Sequence, residues 1–196
     1  PVGRARKSSL NDVPREDHVP RVSGSRQRSC VEVNVHVYPS TIEYDSRLLK
    51  VTGTLTTRRI VERVLIIGIA KAGLPERQVL DLQREVLRIG SRIGGDRLWQ
   101  KVLRFVEWSG KVFFRLRLQR IGMVNCHSLS TLPVCVLLKR WHGCILIYEP
   151  HELETETVNS RRVRRHVAKW VERRLIALAD HVIVVSESIA GHYRRD

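Results

Sequence analysis

Imidazole, hydroxyl and carboxylate side chains gather at three places between Met123 and Ile189, each time at the end of a short apolar run. The first cluster is Asn125-Cys126-His127-Ser128. The second is Glu149-Pro150-His151-Glu152-Leu153-Glu154, and the third is Ser186-Glu187-Ser188. The apolar runs suit buried strands, and the segments between them suit helices. Strand, crossover helix and strand in repetition builds a parallel sheet, which takes its ligands at the carboxyl ends of its strands. The three clusters therefore fall where a binding crevice belongs.

The elements that must carry them can be read in order. Val31 to Val37 alternates apolar and polar residues as a first strand. Asp45 or Ser46 can cap a helix from Arg47 to about Thr57. Arg63 to Ala70 is a fully apolar second strand. Lys71 to Gln83 reads as a loop with a short helix after Pro75, and Glu85 to Ile89 as a third strand. Gly90 to Asp96 is a Gly-rich turn that closes with Asp96 as a helix cap. The spacing of Leu98, Val102, Phe105, Val106, Val112 and Phe113 predicts a long amphipathic helix from Leu98 to about Leu118.

A strand from Ile121 to Cys126 follows, then an apolar, deeply placed helix with Pro133 in its first turn. Cys144 to Tyr148 and His181 to Val185 are further strands. Between them a helix from about Arg161 to Ala179 has Val163, Val167, Val171, Leu175 and Leu178 on one face and bases on the other. The expected fold class is α/β: a Rossmann-like open parallel sheet of five or six strands with helices on both faces.

Composition narrows the function. The 196 residues, 42% hydrophobic, suffice for one core. No apolar run approaches the roughly 20 residues of a spanning helix, and the N-terminus lacks the apolar stretch of a signal peptide, so a cytoplasmic protein is expected. Cys30, Cys126, Cys135 and Cys144 form no CxxC pair, which argues against structural zinc and disulfides. The net charge of +15 calls for anionic partners, yet no zinc finger, RNP-like motif or helix-turn-helix accompanies it. Residues 1–29 hold seven Lys and Arg against three Asp and Glu and show no periodicity; they are expected to be a disordered basic tail, even sequence upstream of the natural start. Strand one is followed by Tyr38-Pro39-Ser40-Thr41, not G-x-G-x-x-G, which disfavours a dinucleotide enzyme.

Four segments taken together carry a resemblance: Tyr44-Asp45-Ser46-Arg47, Val124-Asn125-Cys126-His127-Ser128, Leu146-Ile147-Tyr148-Glu149-Pro150-His151-Glu152 and Ala179-Asp180-His181-Val182-Ile183-Val184-Val185-Ser186. In their order and spacing they resemble the amino-terminal, acceptor-side domain of family-4 retaining glycosyltransferases, which have the GT-B architecture. That family commonly shows Asp-x-Arg near the first helix, strands ending in His-x-His and Asp-x-His-Glu, and an Ala-Asp-x-Val-x-x-Val-Ser strand. The match covers most of residues 31–196. Asn125 stands where the family has its first His, and Glu149-Pro150 replaces the usual Asp and small residue.

The resemblance implies transfer of a hexosyl group from a nucleotide sugar with retention, between two domains and without a metal or other cofactor. Residues 30–196 would form the first domain. The second, with its paired glutamates around the donor, has no counterpart in this sequence, so this chain alone is expected to be inactive. By the same resemblance His151 faces the reacting centre, and Glu152 holds its loop or its tautomer. His127 and Ser128 line the acceptor side, Ser186 and Glu187 the next edge, and Asp45 and Arg47 the mouth above strand one. The acceptor would be a glycan, a lipid-linked molecule or a small molecule.

Plainer readings stand beside these. Asp45 suits a helix N-cap, Arg47 a surface arginine, Ser186 a cap for the final helix, and His127 a partner for backbone. Glu152, Glu154 and Glu156 suit solvated carboxylates better than a metal site, and His142 suits a helix C-terminal cap. The basic face of the last helix and Arg115, Arg117 and Arg120 could rest on an anionic membrane at the inner face, helped by Trp99, Trp108, Phe113 and Phe114 where exposed; helical spacing assigns most of these to the core. The competing functions are a non-catalytic anion- or nucleic-acid-binding α/β domain and an inactive fragment.

Overall fold

The computed structural model describes residues 31–43, 45–150 and 174–184. The basic tail with Cys30, the site candidates His151, Glu152, Ser186 and Glu187, the carboxylates Glu154 and Glu156, and most of the arginine-rich last helix lie outside the described residues.

β1 (Val31–Val37) is buried along Val33 to Val37 on both faces. Its period of two sends Val33, Val35 and Val37 into the larger core and Asn34 and His36 to the opposite face, where both are fully buried. α1 (Ser46–Thr57) starts as its cap residue predicts: the Asp45 carboxylate accepts the Leu48 N–H at 2.9 Å. Leu48, Thr52 and Thr56 face inward, and both threonine hydroxyls donate to carbonyls one turn back, at Leu48 and Thr52. β2 (Val61–Ile69) is the apolar central strand.

The stretch read as a loop with a short helix is instead an edge hairpin, β3 (Arg77–Val79) with β4 (Arg84–Ile89), paired antiparallel. Asp81 makes the turn, its carboxylate accepting the backbone N–H groups of Gln83 at 2.9 Å and Arg84 at 2.8 Å. Exposed Arg77 keeps the short edge strand charged.

α2 (Leu98–Leu116) ends close to the expected place but is capped differently. The N-cap is Arg97, whose N–H is taken by the Gln100 side chain at 3.0 Å, and Asp96 plays no capping part. Of the expected face, Val112 is buried and Phe105 and Phe113 are half-buried against the core, joined by Trp108 and Leu116, whereas Leu98, Val102 and Val106 are exposed. Of the four aromatics read as mostly core, Trp108 is buried and Phe113 half-buried, while Trp99 and Phe114 are exposed.

β5 (Met123–Cys126) leads through a 3-10 turn, Leu129–Thr131, into α3 (Leu132–His142). The α3 C-cap is Gly143, left-handed with φ 65° and donating to the Lys139 carbonyl, so His142 is not the cap; its ring instead donates to the Leu116 carbonyl of α2. β6 (Ile145–Tyr148) and β7 (His181–Val182) complete the sheet. Cys126, Cys135 and Cys144 are buried free thiols, as expected of small core residues.

The described strands number seven rather than five or six, in the order β3-β4-β2-β1-β5-β6-β7, and all are parallel except β3. Beside the antiparallel edge, the sheet grows outward in two directions from β1. The gap between the ends of β1 and β5 is thus the switch point where doubly wound sheets bind ligands. α1 covers one face; α2 and α3 pack on the other.

Arg88 on β4 locks the loop after β1. It is 1% exposed, and its guanidinium donates to the carbonyls of Thr41, Ile42 and Pro75 and to the Gln78 side chain, at 2.8–3.2 Å. The same loop holds Ile42 at φ 54°, a conformation unusual for a branched residue, and presses Ser40 and Ile42 onto Gly68. A Cβ at Gly68 would lie 2.7 Å from both. Arg88→Met should lower unfolding stability by about 2 kcal/mol, because the buried Ile42 carbonyl and the part-buried Thr41 carbonyl lose their donor. Arg88→Lys should not restore it, since an ammonium lacks the planar fork. Urea unfolding of the two variants measures this.

Candidate functional site

The carboxyl ends of β1, β5 and β6 bring four side chains from distant parts of the chain into one line. His36 precedes the end of β1, His127 follows β5, Glu149 follows β6, and Arg47 stands in the first turn of α1. Pairing across the sheet sets the alignment: His36 is opposite Asn125, and Cys126 is opposite Tyr148. His127 and Glu149, each one residue on, leave on the same face.

His36 Nδ1 lies 2.8 Å from His127 Nε2, with the rings stacked at 5.1 Å between centroids. His127 Nδ1 faces Glu149 Oε2 at 3.8 Å, and Glu149 Oε1 accepts from Arg47 Nη2 at 2.5 Å. Tyr38 meets the His127 ring edge-on at 5.7 Å. One step deeper, Asn34 donates to the Asn125 side-chain oxygen at 2.8 Å. Exposure falls steeply along this line: the Arg47 side chain is 41% exposed, Glu149 6% and His127 2%.

The burial fixes proton positions. Desolvation holds the His36 pKa down at about 3, so its ring is neutral. Its Nε2 is buried without a partner. A proton there would be an unpaired buried donor, so the proton belongs on Nδ1 and is given to His127 Nε2. His127 Nδ1 is left facing the Glu149 carboxylate at 3.8 Å. The result is an oriented imidazole backed by a neutral one, with a carboxylate held in place by a half-exposed guanidinium.

Of the residues singled out in the sequence, Arg47 and His127 belong to this assembly. Asp45 is occupied as the α1 cap, in keeping with its plainer reading. Ser128 caps the 3-10 turn, accepting from the Ser130 N–H at 3.2 Å, and its carbonyl accepts from the Thr131 hydroxyl. His36 and Glu149 went unassigned in the sequence. The signal for His36 was a histidine at a polar position of a strand central to a parallel sheet, where both faces are buried. Asp180, in the Ala-Asp-x-Val segment, is structural: its carboxylate accepts from the Leu146 N–H and from Lys139, each at 2.8 Å, tying β7 to β6 and α3.

A second concavity opens at the same edge on the α2 face, at the ends of β2 and β4. It encloses about 670 Å³ between Ile69, Lys71, Ser91, Lys101, Arg104 and Trp108. Its loop is held by α2. Glu107 takes the Ser91 hydroxyl and the N–H groups of Arg92 and Ile93, and Arg104 donates to the carbonyls of Ile93 and Gly95. Lys111 and these donors hold the Glu107 carboxyl at a pKa of about 2. Lys71 is engaged by Glu43, whereas Lys101 has no ion-pair partner among the described residues. Among the described residues no group of His, Cys, Asp and Glu could hold a metal ion.

The His36 shift has a consequence for stability. Its folded pKa lies below the unfolded value of 6.5, so the contribution is complete above pH 6.5 and is lost as pH falls toward 3. The loss is about 1.4 kcal/mol for each pH unit within that window. Between pH 6.5 and 5, above the carboxylate range, His36→Leu should flatten the acid decline of the unfolding midpoint relative to the unaltered protein. An unchanged slope would mean that His36 is not buried neutral.

Comparison with known proteins agrees with this picture. A model of the family described as Glycosyltransferase Family 4 matches residues 57–196. No curated protein matches at a significant level. Among solved structures, sucrose-phosphate synthase from Thermosynechococcus elongatus superposes with a TM-score of 0.64 at 12% identity, over 84% of this chain and 45% of that one. A second structure of that synthase gives a TM-score of 0.57 at 14% identity, over 84% of this chain and 82% of that one. The chain thus spans less than half the length of the first synthase structure, and at these identities the likeness concerns the fold: a Rossmann-like α/β domain of the GT-B type.

Proposed function

Because the chain belongs to glycosyltransferase family 4, we propose that it forms the acceptor-side half of a retaining hexosyltransferase that uses a nucleotide sugar and no metal. The observation that carries this reading is the His36–His127–Glu149–Arg47 line at the switch point of the sheet. Its outer end offers a guanidinium and a carboxylate where a polar substrate would approach. Its inner end is rigid and dry, which keeps hydrogen-bonding groups oriented before the substrate arrives.

In this reading His127, held between His36 and Glu149, contributes an orienting face on the acceptor side. His151, two residues beyond Glu149, reaches the donor sugar or acceptor hydroxyl, and Glu152 supports it. Ser186 and Glu187 are assigned to the acceptor side by the family's motif. Arg47 holds Glu149 and adds positive potential at the mouth, which favours a leaving nucleoside diphosphate. The concavity beside Lys101 and Arg104 suits an acceptor with an anionic group, since a cationic rim surrounds an apolar floor.

The donor domain supplies the other half of such a site, so the test uses the protein that carries this chain together with that domain. With a nucleotide sugar, Glu149→Gln and His151→Ala should each lower kcat/KM for transfer by about a hundredfold, with thermal unfolding little changed. Glycosyl transfer that survives both substitutions would overturn the assignment of this edge as the reacting centre.

A further inference from the structure

The outward face of α2 has the wrong composition for a helix in contact with water alone. Trp108, Val112 and Leu116 already fill its buried side, yet Leu98, Trp99, Val102, Leu103, Val106 and Phe114 are each 46–63% exposed. At its C-terminal end Phe113 meets Trp141 edge-on at 5.6 Å, and Trp141, itself exposed, donates to the Arg117 carbonyl at 2.9 Å. The Arg117 guanidinium lies over the Phe114 ring at 5.1 Å. Contiguous apolar surface of this kind marks a docking site.

Charge identifies the occupant. α2 contains Lys101, Arg104, Lys111 and Arg115 against one acidic residue, Glu107. That carboxylate pairs with Lys111 while also holding Ser91 and two loop N–H groups, and Arg104 is turned to the carbonyls of Ile93 and Gly95, so Lys101 and Arg115 are the bases of α2 without an ion-pair partner among the described residues. Beyond the helix end, exposed Arg117, Arg120 and Arg140 have no ion-pair partner among the described residues. A second copy on this face would set two unneutralised basic rims against each other, and a nucleic acid would leave the row of Trp99, Leu103 and Val106 uncovered. A lipid surface with anionic headgroups satisfies both features at once: interfacial tryptophan and leucine on one side, arginine at phosphate level on the other. Five charged residues prevent α2 from crossing the bilayer, and among the described residues no helix is long and apolar enough to do so. The helix, about 28 Å long, would lie in the plane of the interface.

We propose that the outward face of α2, with Arg117, Arg120 and Arg140 at its end, docks the protein on an anionic membrane. The proposal stands on this face alone and does not depend on the transfer reaction.

Flotation of the purified protein with phosphatidylcholine vesicles, and with vesicles containing phosphatidylglycerol, tests it. Binding should favour the anionic vesicles at least tenfold, weaken with salt, and shift tryptophan emission to the blue. Trp99→Glu with Leu103→Glu should abolish it. Arg117→Glu with Arg140→Glu, an independent arm at exposed positions, should lower the anionic preference by about tenfold or more. Equal binding to neutral vesicles, no binding, or full binding by either double variant would overturn the proposal. So would self-association that the Trp99→Glu, Leu103→Glu pair abolishes in the absence of vesicle binding, because a second copy would then cover the face.

Discussion

The strictest constraint on this domain is that its two central strands bury hydrogen-bonding side chains at the centre of the sheet. β1 and β5 lie side by side with both faces covered, and on the α1 face they hold Asn34, His36, Asn125 and His127. A buried amide or imidazole is costly unless it is paired. The two cross-strand contacts, Asn34 to Asn125 and His36 to His127, supply one bond to each side chain only in the observed register, with Asn34 Oδ1 and His36 Nε2 left buried and unbonded. A slip of either strand by one residue would turn its own two toward the valine core and leave the other two without their partners. The pairs therefore do more than tolerate burial. They specify the alignment of β1 with β5, and with it the position from which His127 leaves the sheet.

The remainder of the edge is assembled on that register. β6 aligns with β5 so that Glu149 emerges next to His127, and its N–H is taken by the Cys126 carbonyl at 2.8 Å. Arg47 reaches Glu149 because the loop after β1 is held rigidly. Arg88 gathers its carbonyls from one side, Gly68 admits Ser40 and Ile42 from the other, and Asp45 starts α1 at a fixed residue. An arginine without a carboxylate inside the sheet is compatible with this role. Its fork matches several carbonyls at once, and each charge-assisted bond to a carbonyl is stronger than a neutral one.

Much of this was legible in the residues, and the failures share a cause. Strands with continuous apolar runs, the Asp45 cap and Pro133 at the start of α3 were readable because local chemistry decides them. The hairpin of β3 and β4 was not, because its short strand exists only through pairing with a neighbour, and tertiary contact outweighs the weak local preference of Pro75 to Gln83. The α2 core face was read only in part: Val112, Phe105 and Phe113 do pack on the core, but the apolar arc is broader than the sheet covers, and spacing alone cannot say that Leu98, Val102 and Val106 fall outside it. His36 was passed over for the same kind of reason: in Val-Glu-Val-Asn-Val-His-Val the alternation gives the strand, but only the sheet order shows that its polar side is also interior. Arg88 and Glu149 likewise acquire meaning only from partners far away in sequence.

That excess of apolar surface on α2 and the buried polar pairs of β1 and β5 are opposite departures from the same pattern. Polar groups lie inside where the sheet is best protected, and large apolar groups lie outside on the helix farthest from the α1 face. Each costs stability unless something repays it. For the buried pairs the compensation is visible within the chain, as hydrogen bonds of 2.8 Å and a fixed strand register. For α2 the described residues provide none: Trp99, Leu103 and Val106 meet no covering element, while the single carboxylate that would balance the arginines is drawn inward to hold the loop over the cavity. Glu107 is thus the link between the two. By serving the carboxyl edge together with Arg104 and Lys111, it leaves the apolar row of the same helix bordered by Arg115 and Arg117, a combination that an amphipathic, anionic surface complements.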